Sequence, residues 1–123
     1  MKDLRGNELE ILLDCVEKVF MVKKDRIKSR TRKMDAVYAR HAFCLISRDA
    51  TNKTLQEIGN TVNRNHTTIL YAEVEARSLA EQDRVFEAKV EICKQVFQQV
   101  MGVMLNESRD QMAEEIVDSL RIK

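Results

Sequence analysis

Apolar residues recur along this chain at intervals of three and four and never in sustained alternation, a spacing that predicts helices and no strands. From Glu8 to Val22, Ile11, Leu12, Cys15, Val16, Val19 and Phe20 fall on one stripe while Asp14, Glu17 and Lys18 face away, giving a first amphipathic helix. The next run, KKDRIKSRTRKMD, offers only Ile27 and Met34 as sizeable apolar groups. That is too few for a buried face, so it reads as a loop with one short turn around Asp25 to Lys28. Asp35 is the expected N-cap of a second long helix reaching about Arg48, with Val37, Ala42, Phe43, Leu45 and Ile46 on its core side.

Between Leu55 and Ala72 the pattern shortens to two helices around a polar break, Asn63-Arg64. Thr54 with Glu57 forms a capping box for the first, and Asn65 caps the second. Leu55, Ile58 and Val62 anchor the first helix, Ile69, Leu70, Ala72, Ala76 and Leu79 the second, and Gly59 permits their close packing. This is the layout of a helix-turn-helix, and it sets Asn65, His66, Thr67 and Thr68 at the exposed end from which a major-groove reader meets base edges. A further helix from Asp83 to Met104 carries Phe86, Val90, Cys93, Phe97, Val100, Met101 and Met104 inward. Ser108 and Gln111 then predict a separately capped last helix with Met112, Ile116, Val117 and Leu120 on one side. The expected fold is all-α: a compact helical domain with a helix-turn-helix, plus an extra C-terminal helix.

Composition narrows this picture. The 123 residues contain no proline and three glycines, enough for one domain with a single core and too few for a second, catalytic one. Cys15, Cys44 and Cys93 are odd in number and share no CxxC spacing, so they are expected as small reduced core residues. There is no apolar leader and no stretch near the roughly 20 apolar residues that span a bilayer. A cytoplasmic protein without membrane contact is the expectation.

The net charge of +1 hides an uneven distribution: −2 over residues 1 to 22, +7 over 23 to 48, zero over 49 to 72 and −4 over 73 to 123. The positive charge lies just ahead of the helix-turn-helix, as phosphate binding requires. Lys23, Lys24, Arg26, Lys28, Arg30, Arg32 and Lys33 are interrupted by only one acid, Asp25. A solvated charged loop would look the same in isolation. Beside a recognition-helix pattern, however, Arg30 and Arg32 become candidates for a narrow minor groove, where a weakly hydrated guanidinium meets enhanced negative potential. His66 can meet a phosphate or a base at a helix start, and the threonine methyls can contact thymine methyls. His41 reads as structural or as a phosphate contact. Metal ligands at usable spacing, phosphate loops and hydrolase motifs are all missing from the sequence, so neither enzymatic activity nor a cofactor is expected.

At these residues the chain resembles the C-terminal DNA-binding domain of the bacterial replication initiator DnaA. The resemblance runs from about Glu8 to Phe97 and is strongest in EIG at Glu57 to Gly59 and NHTTILYA at Asn65 to Ala72; Arg32, Arg40 and Ala42 also match in spacing. It implies a domain over residues 8–97, followed by a helical extension over 98–123. It further implies binding to a short asymmetric box, with Arg32 entering the minor groove and Asn65, His66, Thr67 and Thr68 reading the major groove. Arg40 and Arg48 would grip the backbone, and Thr54 lies in the same interface. The chain differs from the family pattern in three places: Asn65 stands where aspartate is usual, the turn is one residue shorter than the glycine-containing version, and Ala39 replaces proline. The family's ATPase module lies outside these 123 residues.

The leading expectation is therefore a sequence-specific binder of double-stranded DNA at initiator-like boxes, in replication control or transcription. A natural short protein and a fragment of a longer initiator read alike here. The alternative from another class is a non-enzymatic adaptor that engages replication proteins through its acidic C-terminal helices. Their apolar stripe either folds back on the domain or pairs with another copy, which leaves room for a homodimer or a replication-protein partner.

Overall fold

The computed structural model describes residues 8–121, with side chains as far as residue 106, and within that range it is all-helical. The elements are α1 (Glu8–Phe20), α2 (Lys24–Lys28), α3 (Met34–Ala50), α4 (Leu55–Thr61), α5 (His66–Gln82) and α6 (Arg84–Arg121). No helix among the described residues is long and apolar enough to cross a membrane.

α3 is the hub and packs against each of the other five helices. It is buried nearly all round: Ala36, Ala39, Ala42, Phe43, Cys44, Leu45 and Ile46 are all in the core. Alanines at three of those positions let neighbouring helices approach closely. Leu12, Leu13 and Val16 of α1 close one side, and Phe86, Val90, Cys93 and Phe97 of α6 another. Phe86 stacks edge-on against Phe20 at 6.0 Å and Tyr38 at 5.7 Å between ring centroids. The three cysteines are free and buried. Burial pushes the Cys44 and Cys93 thiols up to about 12, so they pack as thiols, as their sequence context suggests.

Several boundaries differ from the sequence expectation. α1 stops at Phe20, because Met21 turns left-handed (φ 56°) and the Val22 N–H donates to the Glu17 carbonyl at 3.2 Å. This is a Schellman closure built without glycine. Ile27, expected in a loop with no buried face, is fully buried and anchors α2 by itself. Asp35 does not cap α3; Lys33 holds that position. Asp35 lies within the first turn and binds the Arg26 guanidinium through both oxygens at 2.6 and 2.9 Å. Those hydrogen bonds lower its carboxyl pKa to about 2. On α5 and α6, Leu70 and Val100 face solvent rather than the core; the small Ala72 and Ala76 seat α5, with Ile69 fully buried and Leu79 partly buried against the core. Finally, the two expected C-terminal helices are one, since α6 runs unbroken through Ser108. No proline interrupts a sequence of good helix formers there.

Candidate nucleic-acid interface

The helix-turn-helix forms as its capping residues dictate. The Glu57 N–H donates to Thr54 Oγ1 at 3.1 Å while the Thr54 N–H donates to Glu57 Oε2 at 3.0 Å, the reciprocal box that starts α4. The Thr68 N–H donates to Asn65 Oδ1 at 2.8 Å and starts α5. Between them the chain repeats the closure seen after α1. Asn63 is left-handed (φ 59°), and the Val62 and Arg64 N–H groups both donate to the Gly59 carbonyl, at 3.1 and 2.8 Å. Asparagine tolerates that backbone better than most residues, which is how the turn dispenses with glycine. Gly59 is needed for a different reason. A Cβ there would collide with the Arg64 carbonyl oxygen, so α4 and the turn meet backbone to backbone.

Two arginines fix the basic loop to this unit. Arg40 is only 8% exposed; its Nε donates to the Ile27 carbonyl at 2.8 Å and its Nη2 to the Ser29 carbonyl at 3.1 Å. Arg64 reaches the same loop from the turn, its Nη2 donating to the Ser29 carbonyl at 2.6 Å. The single Ser29 carbonyl therefore accepts from α3 and from the helix-turn-helix together. Hydroxyls complete the loop, with the Thr31 N–H donating to Ser29 Oγ and the Lys33 N–H to Thr31 Oγ1, each at 3.3 Å. Burial, and after it the nearby Arg64 charge, push the Arg40 guanidinium below its ordinary value.

The outcome is a groove of about 460 Å³ with Arg30, Arg32, Arg40 and Arg64 on the loop side and Asn65 and Thr68 on the α5 side; no acidic residue lines it. Arg30 and Arg32 project into solvent at its mouth, and His66 and Thr67 are exposed on the first turn of α5. Along the same helix Leu70, Tyr71 and Val74 are exposed, which sets apolar groups beside the threonines. The remaining sequence candidates stand apart from the groove lining. Arg48 donates to Glu73 Oε1 at 2.9 Å, and the Thr54 hydroxyl is taken up by its cap. Arg40, expected on the nucleic-acid backbone, lines the groove while its Nε and Nη2 donate to loop carbonyls. Arg64 is the residue that sequence reasoning missed. Its place in the turn was evident, but nothing in a turn arginine signals a partner 35 positions upstream.

A second network braces the unit from behind. Asp49 accepts from Arg77 at 2.7 Å and Lys94 at 3.2 Å, and Glu73 accepts from Arg48 and Arg77, each at 2.9 Å. Burial opposes the charge on both carboxylates, yet the hydrogen bonds outweigh it and hold both below their ordinary range. Nearby, burial lowers the pKa of His41, an effect Glu75 partly opposes and Arg40 reinforces; its Nδ1 is buried without a hydrogen-bond partner.

Residues 9–75 match the family model described as the bacterial dnaA protein helix-turn-helix. Among curated proteins, the chain is similar to the chromosomal replication initiator protein DnaA of Porphyromonas gingivalis, at 30% identity over 98 residues, covering 76% of this chain and 21% of that protein. The protein of the same name from Ureaplasma parvum is 35% identical over 80 residues, covering 64% of this chain and 18% of that one. The one from Thermus thermophilus is 33% identical over 84 residues, covering 68% and 19%. The matched stretch thus spans about a fifth of the length of these relatives.

Proposed function

The chain belongs to the bacterial DnaA helix-turn-helix family, and from that premise we propose that it is a non-enzymatic, sequence-specific binder of double-stranded DNA acting in replication control or transcription. The observation that carries this reading is the acid-free groove joining the Arg30–Arg32 loop to the start of α5. A loop that offers guanidiniums to a minor groove and a helix that offers short polar side chains to the adjacent major groove must keep a fixed separation. Arg40 and Arg64 supply that constraint from two sides of Ser29.

In this reading Arg30 and Arg32 supply the minor-groove contacts, and Asn65, His66, Thr67 and Thr68 the major-groove contacts. Arg40 acts by positioning the loop. Arg48 and Thr54 flank the interface. Asn65 alters the chemistry expected of an aspartate at this position. With one lone pair of Oδ1 given to the cap, its Nδ2 presents donors that a carboxylate lacks, favouring a base with an acceptor on its major-groove edge, such as adenine N7. Thr67, with Tyr71 and Val74 exposed on the same helix, favours contact with thymine methyls. Residues 8–97 form the DNA-binding domain in this proposal, with 98–123 a C-terminal extension in which α6 continues as far as Arg121.

The test is fluorescence anisotropy with a duplex carrying the initiator-family box and a shuffled duplex, at two salt concentrations, with Arg32→Ala and Thr67→Ala. Tighter, salt-sensitive binding to the box is expected, weakened by Arg32→Ala. Thr67→Ala should cost about 1 kcal/mol on the box and little on the shuffled duplex. Equal weak binding to both duplexes would refute specific readout by this surface and favour the protein-interaction reading of the acidic C-terminal helix.

A further inference from the structure

α1 and α6 both pack on the core, but they treat their outer surfaces differently. Among the described residues, α1 leaves no large apolar side chain exposed, whereas α6 exposes Val85, Ile92, Val100, Val103 and Leu105. Val85 is 66% exposed, Ile92 51% and Val103 56%, and with half-buried Val96 they follow one line down the helix at spacings of seven, four and seven. That line is about 27 Å long at helical rise. A line of exposed β-branched side chains of this length on one helix face marks an interaction surface.

The order of the residues indicates the occupant. Val85 and Val103 are equally distant from Lys94 along the chain, and so are Ile92 and Val96. A stripe symmetric about its own midpoint is self-complementary when two copies meet antiparallel, the condition for a closed two-fold interface. Charge agrees with this. The stripe's flanks hold Ala88, Gln99 and Val100, and the one charge among them, Lys89, leans aside with its ammonium 5.6 Å from the centre of the Phe20 ring. Glu87 and Glu91 point well away from the stripe and line the cleft towards Arg77. In the antiparallel register Lys89 comes level with uncharged Gln99 of the other copy, so like charges do not oppose each other.

We propose that this flank of α6 is a self-pairing surface on which a second copy of the chain docks antiparallel, Val85 of one copy level with Val103 of the other and Ile92 level with Val96. One helical stripe of this length gives an interface at the small end of specific contacts, below ~1,200 Å². The dimer should therefore form with rising concentration and come apart on dilution.

Sedimentation equilibrium of the full chain over a wide concentration range tests this, alongside Ile92→Glu. Because Ile92 is half exposed, the variant should keep its helical signal and melting temperature. Wild-type mass should climb from one to two copies while Ile92→Glu stays at one. Register is read by oxidative cross-linking of Val85→Cys and Val103→Cys proteins, the native cysteines being buried. Mixing the two variants should give a covalent dimer and neither alone should. A wild-type protein monomeric at every concentration overturns the proposal and leaves the face to a different partner. So does an Ile92→Glu protein that dimerises like wild type, and cross-linking of Val85→Cys to itself would exclude the antiparallel register.

Discussion

Gly59→Ala should destabilise the domain, although alanine is the better helix former. A Cβ at position 59 would fall inside contact distance of the Arg64 carbonyl oxygen and close to Ile69 Cγ1 at 3.4 Å. Since the obstacle is backbone, relief requires moving the turn. Helix propensity favours alanine by about 1 kcal/mol, overpacking of this kind costs about 1–3 kcal/mol, and weakening the Arg64 N–H to Gly59 carbonyl bond costs about 1 kcal/mol more. The net loss is ~1–3 kcal/mol, or a fall in Tm of roughly 4–24 °C for a domain near 100 residues. Gly102→Ala is the matched control, because a Cβ there meets nothing within 4 Å. It should gain ~1 kcal/mol and raise Tm by roughly 4–8 °C. Thermal and urea melts followed by far-UV circular dichroism measure both. If Gly59→Ala melted at or above wild type, the tight approach of α4 to the turn would be disproved.

Met21→Gly should stabilise the fold by about 1 kcal/mol, since Met21 is 89% exposed and its left-handed backbone is the conformation glycine adopts freely; unchanged denaturant midpoints would count against strain at that turn. Arg64→Met should accelerate amide hydrogen exchange at Thr31 and Lys33 while leaving exchange within α1 as it was, and equal protection at both sites would mean that the loop does not depend on Arg64. Stability should also fall in two steps on acidification. His41, whose pKa burial lowers from 6.5, holds its proton more weakly folded than unfolded, so stability declines as pH drops through 6.5 towards its folded value. Asp49 and Glu73 are held below 3.8 and 4.5, so their contribution is present above those values and disappears beneath them. Urea midpoints against pH, repeated with His41→Phe, should lose only the first step; a wild-type curve flat from neutrality to pH 5 would refute the His41 assignment.

The parts of this molecule that could be read from sequence are those decided by neighbours three or four residues apart. The Thr54–Glu57 box, the Asn65 cap, the inward faces of α1 and α3 and the burial of the three cysteines all belong to that class. What could not be read depended on distant partners. Ile27 lacks a local stripe and is buried because α3 passes over it. Asp35 has the chemistry of a cap but is claimed by Arg26. Leu70 and Val100 sit on helical stripes yet lie outside the core, and α5 is seated through Ala72 and Ala76 instead. At the candidate interface the exposure of Arg30, Arg32, His66 and Thr67 was legible, whereas the support beneath them, the hydrogen bonds of Arg40 and Arg64 to the Ser29 carbonyl, was not.

The convergence of Arg40 and Arg64 on the Ser29 carbonyl has a consequence for assembly of the fold. Ser29 and Arg64 are 35 positions apart, so the loop between α2 and α3 cannot take its final shape until the downstream turn has closed and docked. Partial openings that undock α4 and α5 should therefore release this lysine- and arginine-rich segment together with them, making it a reporter of sub-global unfolding. Limited trypsinolysis of the native protein should cut first between Arg30 and Lys33, at a rate that tracks the stability of the turn rather than that of α1.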